Sequence, residues 1–234
     1  MAAAGRTESV TVSAVIFDWG GTLTPWHDIE PMAQFLAVTD DPDAAQRLCA
    51  ASDVVWARSR DQQRSATLAE VFRLAEVAHT DDAVAAFHEW WKPHTFTDPD
   101  AAPLLVGLRE RGIRVGVLSN TIWSRVEHER IFDRDGVSHL LHGAVYTSEI
   151  PWTKPHPEAF RAALAALGDP DPEDTVFVGD RLFDDIHGAA ALGMRTIYIP
   201  HSTIPADQHG HTVGTPDAVV QRLGEVLAVV DAWR

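Results

Sequence analysis

Five short apolar segments, rich in β-branched residues, constrain the fold of this chain more than any other feature. Each is a nearly continuous hydrophobic run, which is typical of a strand in a parallel sheet with both faces covered. The five segments are VSAVIFD at 12–18, RVGVLSN at 114–120, GAVYTSE at 143–149, TVFVGD at 175–180 and RTIYIP at 195–200. The sequence therefore predicts a parallel β-sheet.

A helical pattern precedes each of the last four segments, and each pattern stops at or near a glycine. Glycine favours the left-handed conformation that ends many helices. The helical patterns cover 101–111, 122–133, 156–167 and 182–192, and the glycines are Gly112, Gly136, Gly168 and Gly193. Regular alternation of strands and helices is typical of βαβ units. We therefore expect an α/β fold with a Rossmann-like, doubly wound parallel sheet.

The stretch from residue 25 to residue 95 lacks any strand pattern. It has helical periodicity and two acidic helix starts, DDPDAAQRLCA at 40–50 and HTDDAVAAFHEWW at 79–91. The sequence thus predicts an all-helical insertion at 25–95, with the α/β core formed by 9–24 and 96–234. Its tryptophans, Trp26, Trp56, Trp90 and Trp91, are expected to lie mostly in the core, although one or two could line a substrate site.

Composition excludes several classes of function. The net charge of −15, with only 19 basic residues, argues against nucleic acid as a partner. No apolar run approaches the roughly 20 residues of a membrane span, so no membrane association is expected. One cysteine, Cys49, cannot form an internal disulfide, and the first ten residues lack the apolar region of a signal peptide. A cytoplasmic location is the resulting expectation, while the oligomeric state stays open.

Polar residues gather where the predicted strands end. Taken singly, each has an ordinary explanation as a helix cap, a solvated cation or an acidic helix start. Together they should meet in one crevice, because open α/β sheets bind ligands beyond the carboxyl ends of their strands. The residues are Asp18, Ser119, Asn120, Lys154, Asp180, Asp184 and Asp185.

Several carboxylates around one point repel each other unless a cation lies among them. Hard oxygen ligands select Mg²⁺, and Mg²⁺ in turn commonly binds phosphate. Lys154 then suits a counter-charge, while Ser119 and the amide of Asn120 suit donors to phosphate oxygens. Asp18 remains as a metal ligand, a nucleophile or both.

In their order and spacing these residues resemble the haloacid dehalogenase superfamily, in which Mg²⁺-dependent phosphatases predominate. Its four motifs match FDWGGTLT at 17–24, VLSN at 117–120, TKPHPEAF at 153–160 and VGDRLFDDIHGAAALGM at 178–194. The resemblance covers nearly the whole chain beyond residue 9. It implies a helical C1-type cap at 25–95 and a phosphatase acting on a small phosphorylated metabolite through an aspartyl-phosphate.

The resemblance also implies a role for each matching residue. Asp18 is the nucleophile and a metal ligand, with the Gly20 carbonyl as a second ligand. Ser119 and Lys154 bind phosphate, and Lys154 also steadies Asp18. Asp180 is the direct acidic ligand of the fourth motif, while Asp185, or Asp184 as well, binds the metal directly or through water.

One position departs from the pattern, because phosphatases of this family carry a second aspartate two residues after the nucleophile. This chain has Gly20 there, so the general acid/base is missing. Losing such a group costs about 10²–10⁴-fold in rate when the leaving group needs a proton. His27 and Asp28 are candidates for a replacement acid, and a surface histidine and a helix cap are the competing interpretations.

Three other interpretations follow from this departure. A catalytically silent fold that binds a phosphorylated ligand or a partner protein could lack the acid. Phosphonatases of the family also lack it, but they need a cap lysine for a Schiff base, and the only lysine besides Lys154 is Lys92. A dehalogenase fits less well, because that branch dispenses with the metal.

A loop-like stretch at 200–217 contains three histidines, which suggest a second metal site. No acidic or cysteine ligand joins them at a metal-site spacing, so a metal site there is not favoured.

Overall fold

The computed structural model describes residues 11–200 and 213–234. Within these residues, six strands form one parallel sheet in the order β3-β2-β1-β4-β5-β6. The strands are β1 Ala14–Phe17, β2 Arg114–Ser119, β3 Gly143–Tyr146, β4 Thr175–Gly179, β5 Arg195–Tyr198 and β6 Ala218–Val219. The predicted parallel sheet is confirmed, and the two-residue edge strand β6 is an addition that its short sequence did not indicate.

Strand β1 lies at the point where the strand order reverses. Phe17 pairs in register with Val117 of β2 on one side and with Val178 of β4 on the other. The next residue, Asp18, donates its backbone N–H to the carbonyl of Val178 at 2.9 Å. Such a reversal opens a crevice at the carboxyl ends of the strands. Asp18 therefore lies at the mouth of the ligand site expected for this topology.

Helices cover both faces of the sheet, which explains the nearly continuous apolar strands. Val15 and Phe17 belong to one buried cluster, while Ala14 and Ile16 belong to another on the opposite face. The helices of the α/β part are α5 Ala101–Glu110, α6 Arg125–Arg134, α7 Pro157–Ala166, α8 Gly188–Ala190 and α9 Val226–Ala232, with a π-helix at Leu182–His187. The four glycines predicted to end helices all have positive φ, between 71° and 88°.

Helices also fill the sequence between β1 and α5. They are α1 Ala33–Leu36, α2 Pro42–Gln62, α3 Leu68–Leu74 and α4 Asp81–Trp91, followed by a short 3₁₀ turn at Lys92–His94. Side chains of Asp41, Thr67 and Thr80 cap α2, α3 and α4 by accepting hydrogen bonds from backbone N–H groups. Among the described residues, no helix is long and apolar enough to cross a membrane.

The prediction that the four tryptophans of residues 25–95 lie mostly in the core was wrong. Trp56 is 39% exposed, and Trp26, Trp90 and Trp91 are only partly buried. The tryptophans in the buried core are instead Trp19 and Trp123, at 8% and 7% exposure. An indole has a polar N–H and a large surface, so it is often only partly covered.

Candidate active site

Asp18 is the centre of the candidate site, and a tight loop follows it. The N–H groups of Thr22 and Thr24 donate to the carbonyl of Trp19 at 3.2 Å and 2.9 Å, and the N–H of Gly21 donates to the carbonyl of Thr24 at 2.8 Å. The loop thus folds back on itself directly after β1. Asp18 itself is only 6% exposed.

Three carboxylates converge beyond the strand ends. One oxygen each from Asp18, Asp180 and Asp185 lies within 4.8 Å of the other two. Asp180 directly follows β4, and Asp185 comes from the π-helix, where its Oδ2 accepts the N–H of Arg181 at 2.9 Å. A side chain on Gly179 would overlap the Asp185 carboxylate, so glycine at 179 makes room for it. The predicted convergence of the first and fourth motifs is thus present in the geometry.

Lys154 bridges two of these carboxylates. Its Nζ lies 2.6 Å from Asp18 Oδ1 and 2.7 Å from Asp185 Oδ1, and the residue is 3% exposed. Burial disfavours its positive charge, but Asp18 and Asp185 outweigh burial and raise the pKa of Lys154 above its usual range. Lys154 is therefore a fixed cation at the centre of the acidic cluster.

One lysine does not neutralise the cluster. Burial raises the pKa of Asp18 to about 6, with Lys154 opposing and Asp185 adding to the rise. Burial and the neighbouring Asp18 also raise the pKa of Asp180 well above its usual range. Asp184, which lies outside the close triad, has its pKa raised to about 7 by burial and by Asp185. Bringing further positive charge to this site would favour ionised carboxylates.

The carboxylate of Asp180 is buried without a hydrogen bond in the described part of the chain, which is the strongest structural indication of a cation site. Both its carboxylate oxygens are buried, and neither has a hydrogen-bond partner among the described residues. Its Oδ2 lies 3.5 Å from the Nε of Arg181, which is a long ion pair. Buried, unsatisfied carboxylate oxygens are costly unless a cation binds them. The oxygen-only donor set fits a hard divalent cation such as Mg²⁺.

Ser119 is the last residue of strand β2, and Asn120 follows it. Ser119 is 1% exposed and pairs in register with Tyr146 of β3. The Asn120 side chain contacts the backbone of Lys154 twice, accepting from its N–H at 2.8 Å and donating to its carbonyl at 3.1 Å. Sequence reasoning missed this contact, because the two residues lie 34 positions apart and no local pattern links them.

The position of the absent second aspartate is open. A Cβ built on Gly20 meets no described atom within 4 Å, and Gly20 is not among the glycines with positive φ. Nothing in the geometry of the loop therefore requires glycine at 20. Gly21 differs, since its φ is +88° and a Cβ there would lie 2.8 Å from Cγ of Asp180.

The candidate replacement acids lie outside the close triad of carboxylates. His27 is exposed, and its ring lies edge-on to His94 with centroids 5.2 Å apart. Partial burial and His94 lower the pKa of His27. Asp28 is also exposed.

Two other sequence features lie apart from the site residues or outside the described part of the chain. Lys92 is exposed, and its Nζ pairs with Glu89 at 3.2 Å. The histidines of 200–217 fall at 201, 209 and 211, outside the described residues.

An aromatic cluster behind Asp18 was not predicted. Trp19 packs edge-on to His128 with centroids 4.5 Å apart, and His128 stacks on Tyr146 at 4.3 Å. His128 Nε2 lies 3.0 Å from the hydroxyl oxygen of Thr121. Complete burial, helped by His88 and Arg125, lowers the pKa of His128 to about 3, so this histidine is neutral. In the sequence, Trp19 directly after Asp18 was the one available signal.

Two proteins named as phosphatases are similar to this chain in sequence. The chain is 34% identical to a glyceraldehyde 3-phosphate phosphatase of Methanopyrus kandleri over 148 residues, 63% of this chain and 62% of that protein. It is 30% identical to a phosphoserine phosphatase of Thermus thermophilus over 129 residues, 55% of this chain and 49% of that protein. The matched stretches thus span about half to three fifths of these relatives.

A solved structure shares the fold over nearly the whole chain. The crystal structure of a HAD phosphatase from Thermococcus onnurineus superposes with a TM-score of 0.68 at 20% identity, covering 93% of this chain and 97% of that one. The sequence profile of the haloacid dehalogenase-like hydrolases matches residues 12–193, which contain strands β1 to β4 and the residues of the candidate site. The chain therefore belongs to the haloacid dehalogenase-like hydrolases.

Proposed function

We propose that this protein is a Mg²⁺-dependent phosphatase that acts on a small phosphorylated metabolite through an aspartyl-phosphate on Asp18. The observation that carries the proposal is the position of Lys154 Nζ, 2.6 Å from Asp18 and 2.7 Å from Asp185, beside the unsatisfied carboxylate of Asp180. The names of the related phosphatases support a small phosphorylated substrate.

Asp18, Asp180, Asp185 and the Gly20 carbonyl would hold the Mg²⁺, with Asp184 as an additional ligand. When bound, the ion would offset the negative charge of the carboxylates and the phosphoryl group. Lys154, the Ser119 hydroxyl and the backbone N–H of Asn120 would donate to the phosphoryl oxygens. These donors would stabilise charge where it develops during transfer.

Asp18 then attacks phosphorus with a carboxylate oxygen, and the bond from phosphorus to the leaving oxygen breaks with both electrons remaining on that oxygen. In the second step water attacks phosphorus, and the bond from phosphorus to the Asp18 oxygen breaks with both electrons remaining on that oxygen. Inorganic phosphate then leaves with the oxygen of the water, whose protons pass to the phosphate or to solvent, and the Asp18 carboxylate is restored. Lys154 holds Asp18 Oδ1 by a charge-assisted hydrogen bond and so fixes the nucleophile. The proton that the first leaving group takes up has no donor at residue 20.

We also propose that residues 25–95 form the cap over this site, with 9–24 and 96–234 as the core. The helices α1 to α4 within this range support that division. Backbone bonds tie this segment to the core next to Lys154, where Ser65 N–H donates to the Pro151 carbonyl at 3.2 Å and Thr153 N–H donates to the Gln63 carbonyl at 3.1 Å.

A second candidate function is a catalytically silent protein that binds a phosphorylated ligand or a partner. Gly20 favours it, because the general acid/base is the one catalytic group absent from the set. The buried Lys154 and the unsatisfied Asp180 favour the enzyme, since both are costly to bury without a use.

A phosphatase screen with matched lysine variants tests the proposal. Wild type, Lys154→Met and Lys92→Met are assayed with and without Mg²⁺ on aryl, acyl and sugar phosphates and on a phosphonate. We expect Mg²⁺-dependent turnover that falls about 10²–10³-fold in Lys154→Met and persists in Lys92→Met, whose lysine is exposed and paired with Glu89. Absence of turnover on every phosphate would favour the silent protein. Turnover of a phosphonate that depends on Lys92 would favour a phosphonatase.

A further inference from the structure

The position of Lys154 is not fixed by regular secondary structure. The residue lies in the irregular segment between the short 3₁₀ turn Thr147–Glu149 and helix α7. Nevertheless its ammonium must reach Asp18 Oδ1 and Asp185 Oδ1 at the same time, at 2.6 Å and 2.7 Å. A long, flexible side chain held at two oxygens needs a backbone that is fixed as well.

Asn120 supplies that fixation. Its amide accepts the N–H of Lys154 and donates to the carbonyl of the same residue, so both polar groups of the Lys154 backbone are bound by one planar side chain. Asn120 is itself anchored, because it follows Ser119 at the end of β2, which is paired on both sides, with β1 and with β3. The contact therefore fixes the segment that contains Lys154 to the end of strand β2.

The chemistry of this contact is specific to an amide. An amide presents a donor and an acceptor in one plane, whereas a carboxylate presents only acceptors and would face the Lys154 carbonyl with a negative charge. Serine or alanine at residue 120 would lose one or both bonds. The side chain of Asn120 is thus matched to a backbone and not to a phosphoryl group.

We infer that Asn120 is a positioning residue, which acts through Lys154 by holding its backbone so that the ammonium bridges Asp18 and Asp185. This inference rests on the proposed function, in which Lys154 binds phosphate and steadies the nucleophile. It assigns the Asn120 side chain a role distinct from that of its backbone N–H.

A double-mutant cycle tests the inference with Asn120→Ala, Lys154→Met and the variant carrying both. Removal of Asn120 should lower kcat/KM by about 10²-fold when Lys154 is present. In the Lys154→Met background the further loss should stay within about twofold, since the residue through which Asn120 acts is gone. Equal losses in both backgrounds would overturn the inference. If Lys154→Met turns over too slowly, affinity for inorganic phosphate with Mg²⁺, measured by calorimetry, replaces kcat/KM in the cycle.

Two further variants separate positioning from general damage to the fold. Asn120→Asp keeps the shape of the side chain but loses the donor to the Lys154 carbonyl, so its kcat/KM should also fall. Thr196→Val removes a buried hydroxyl on β5 that donates to Asp217 Oδ2 at 3.1 Å and accepts from the Asp217 N–H at 3.3 Å, bonds that involve neither Lys154 nor its two carboxylates. It should lower thermal stability and leave kcat/KM unchanged. Full activity in Asn120→Asp would count against the inference.

A crystal structure of Asn120→Ala gives a readout that does not depend on activity. We expect Lys154 Nζ to leave at least one of its two carboxylates. If both contacts stay at their wild-type distances, the inference fails even though the protein is a phosphatase. If wild type turns over no phosphate, the proposed function fails, while this structure still decides whether Asn120 positions Lys154.

Discussion

Gly21 lies against the carboxylate of Asp180. A Cβ on residue 21 would lie 2.8 Å from the Cγ of Asp180. Its φ of +88° also disfavours any other residue. The two glycines of the first motif therefore differ in what they permit. Gly21 lets the Asp18 loop approach the fourth motif, whereas the Cβ position of Gly20 is open.

Gly21→Ala should accordingly displace Asp180 and weaken Mg²⁺ binding, with a backbone strain of about 1–3 kcal/mol in addition. Gly20→Ala is the matched control one residue away, and it should keep both Mg²⁺ affinity and stability close to wild type. Calorimetric titration with Mg²⁺ and urea unfolding measure the two effects. Equal Mg²⁺ affinity in the two variants would mean that Asp180 does not bind the ion.

An aspartate introduced at residue 20 should reduce the difference in hydrolysis rate between phosphates with good and with poor leaving groups. The aryloxide or carboxylate of an aryl or acyl phosphate departs as a stable anion, but the alkoxide of an alkyl phosphate needs a proton, so the absent acid slows alkyl phosphates selectively. Gly20→Asp meets no obstacle at its Cβ, because no described atom outside the adjacent residues lies within 4 Å of that position. Its rate on an alkyl phosphate should rise relative to p-nitrophenyl phosphate.

The control for this experiment is Gly20→Asn, which has the same shape but no acid. A similar gain in both variants would show that proton donation is not the cause. Equal wild-type rates on aryl and alkyl phosphates would point to another acid or to a different rate-limiting step.

His128 should make the protein sensitive to mild acid. Its pKa falls from 6.5 to about 3 on folding, so the unfolded chain binds a proton that the folded chain does not. The stability contributed by neutral His128 is complete above pH 6.5 and is lost as the pH falls toward 3. By pH 5 the loss amounts to about 2 kcal/mol.

His128→Phe keeps an aromatic ring against Tyr146 and Trp19 but cannot take up a proton. Its free energy of unfolding should therefore decline less than that of wild type between pH 7 and pH 5, as measured by urea unfolding at each pH. Since Asp18 and Asp184 titrate in both proteins, their contributions cancel in the comparison to first order. Parallel declines would show that His128 is not the group responsible.

The sequence predicted the sheet because fully covered parallel strands have an unmistakable composition, and because glycines such as Gly112 end helices locally. The convergence of Asp18, Asp180 and Lys154 followed from a rule of topology rather than from contacts. Contacts between distant segments had no local signal. The Asn120–Lys154 pair and the stacking of His128 on Tyr146 depend on side-chain directions that only the packed chain defines.

The sequence was least informative about burial in the helical segment. An amphipathic pattern shows that one face of a helix is covered, but it does not show how far a tryptophan near the edge of that face extends into solvent. Trp56, at 39% exposure on α2, illustrates this limit. The boundaries 25–95 and the roles of the site residues stay predictions, which the lysine variants above and the Asp18 variant below address.

Asp18→Asn separates a covalent phosphatase from a silent binder. Beryllium fluoride with Mg²⁺ mimics a phosphoryl group on a carboxylate, so wild type should bind it, and Asp18→Asn should lose both that binding and turnover. The substitution keeps the shape of the side chain, so lost packing does not explain a loss of activity. Circular dichroism and thermal unfolding provide the control for an intact fold. A silent binder would give no turnover in wild type, although Asp18→Asn could still weaken Mg²⁺ binding.

Residual turnover in a clean Asp18→Asn preparation would count against the covalent mechanism, since asparagine cannot form the acyl phosphate. It would indicate that water attacks the phosphoryl group directly, with Lys154 and the carboxylates of the fourth motif acting only as electrostatic and binding groups.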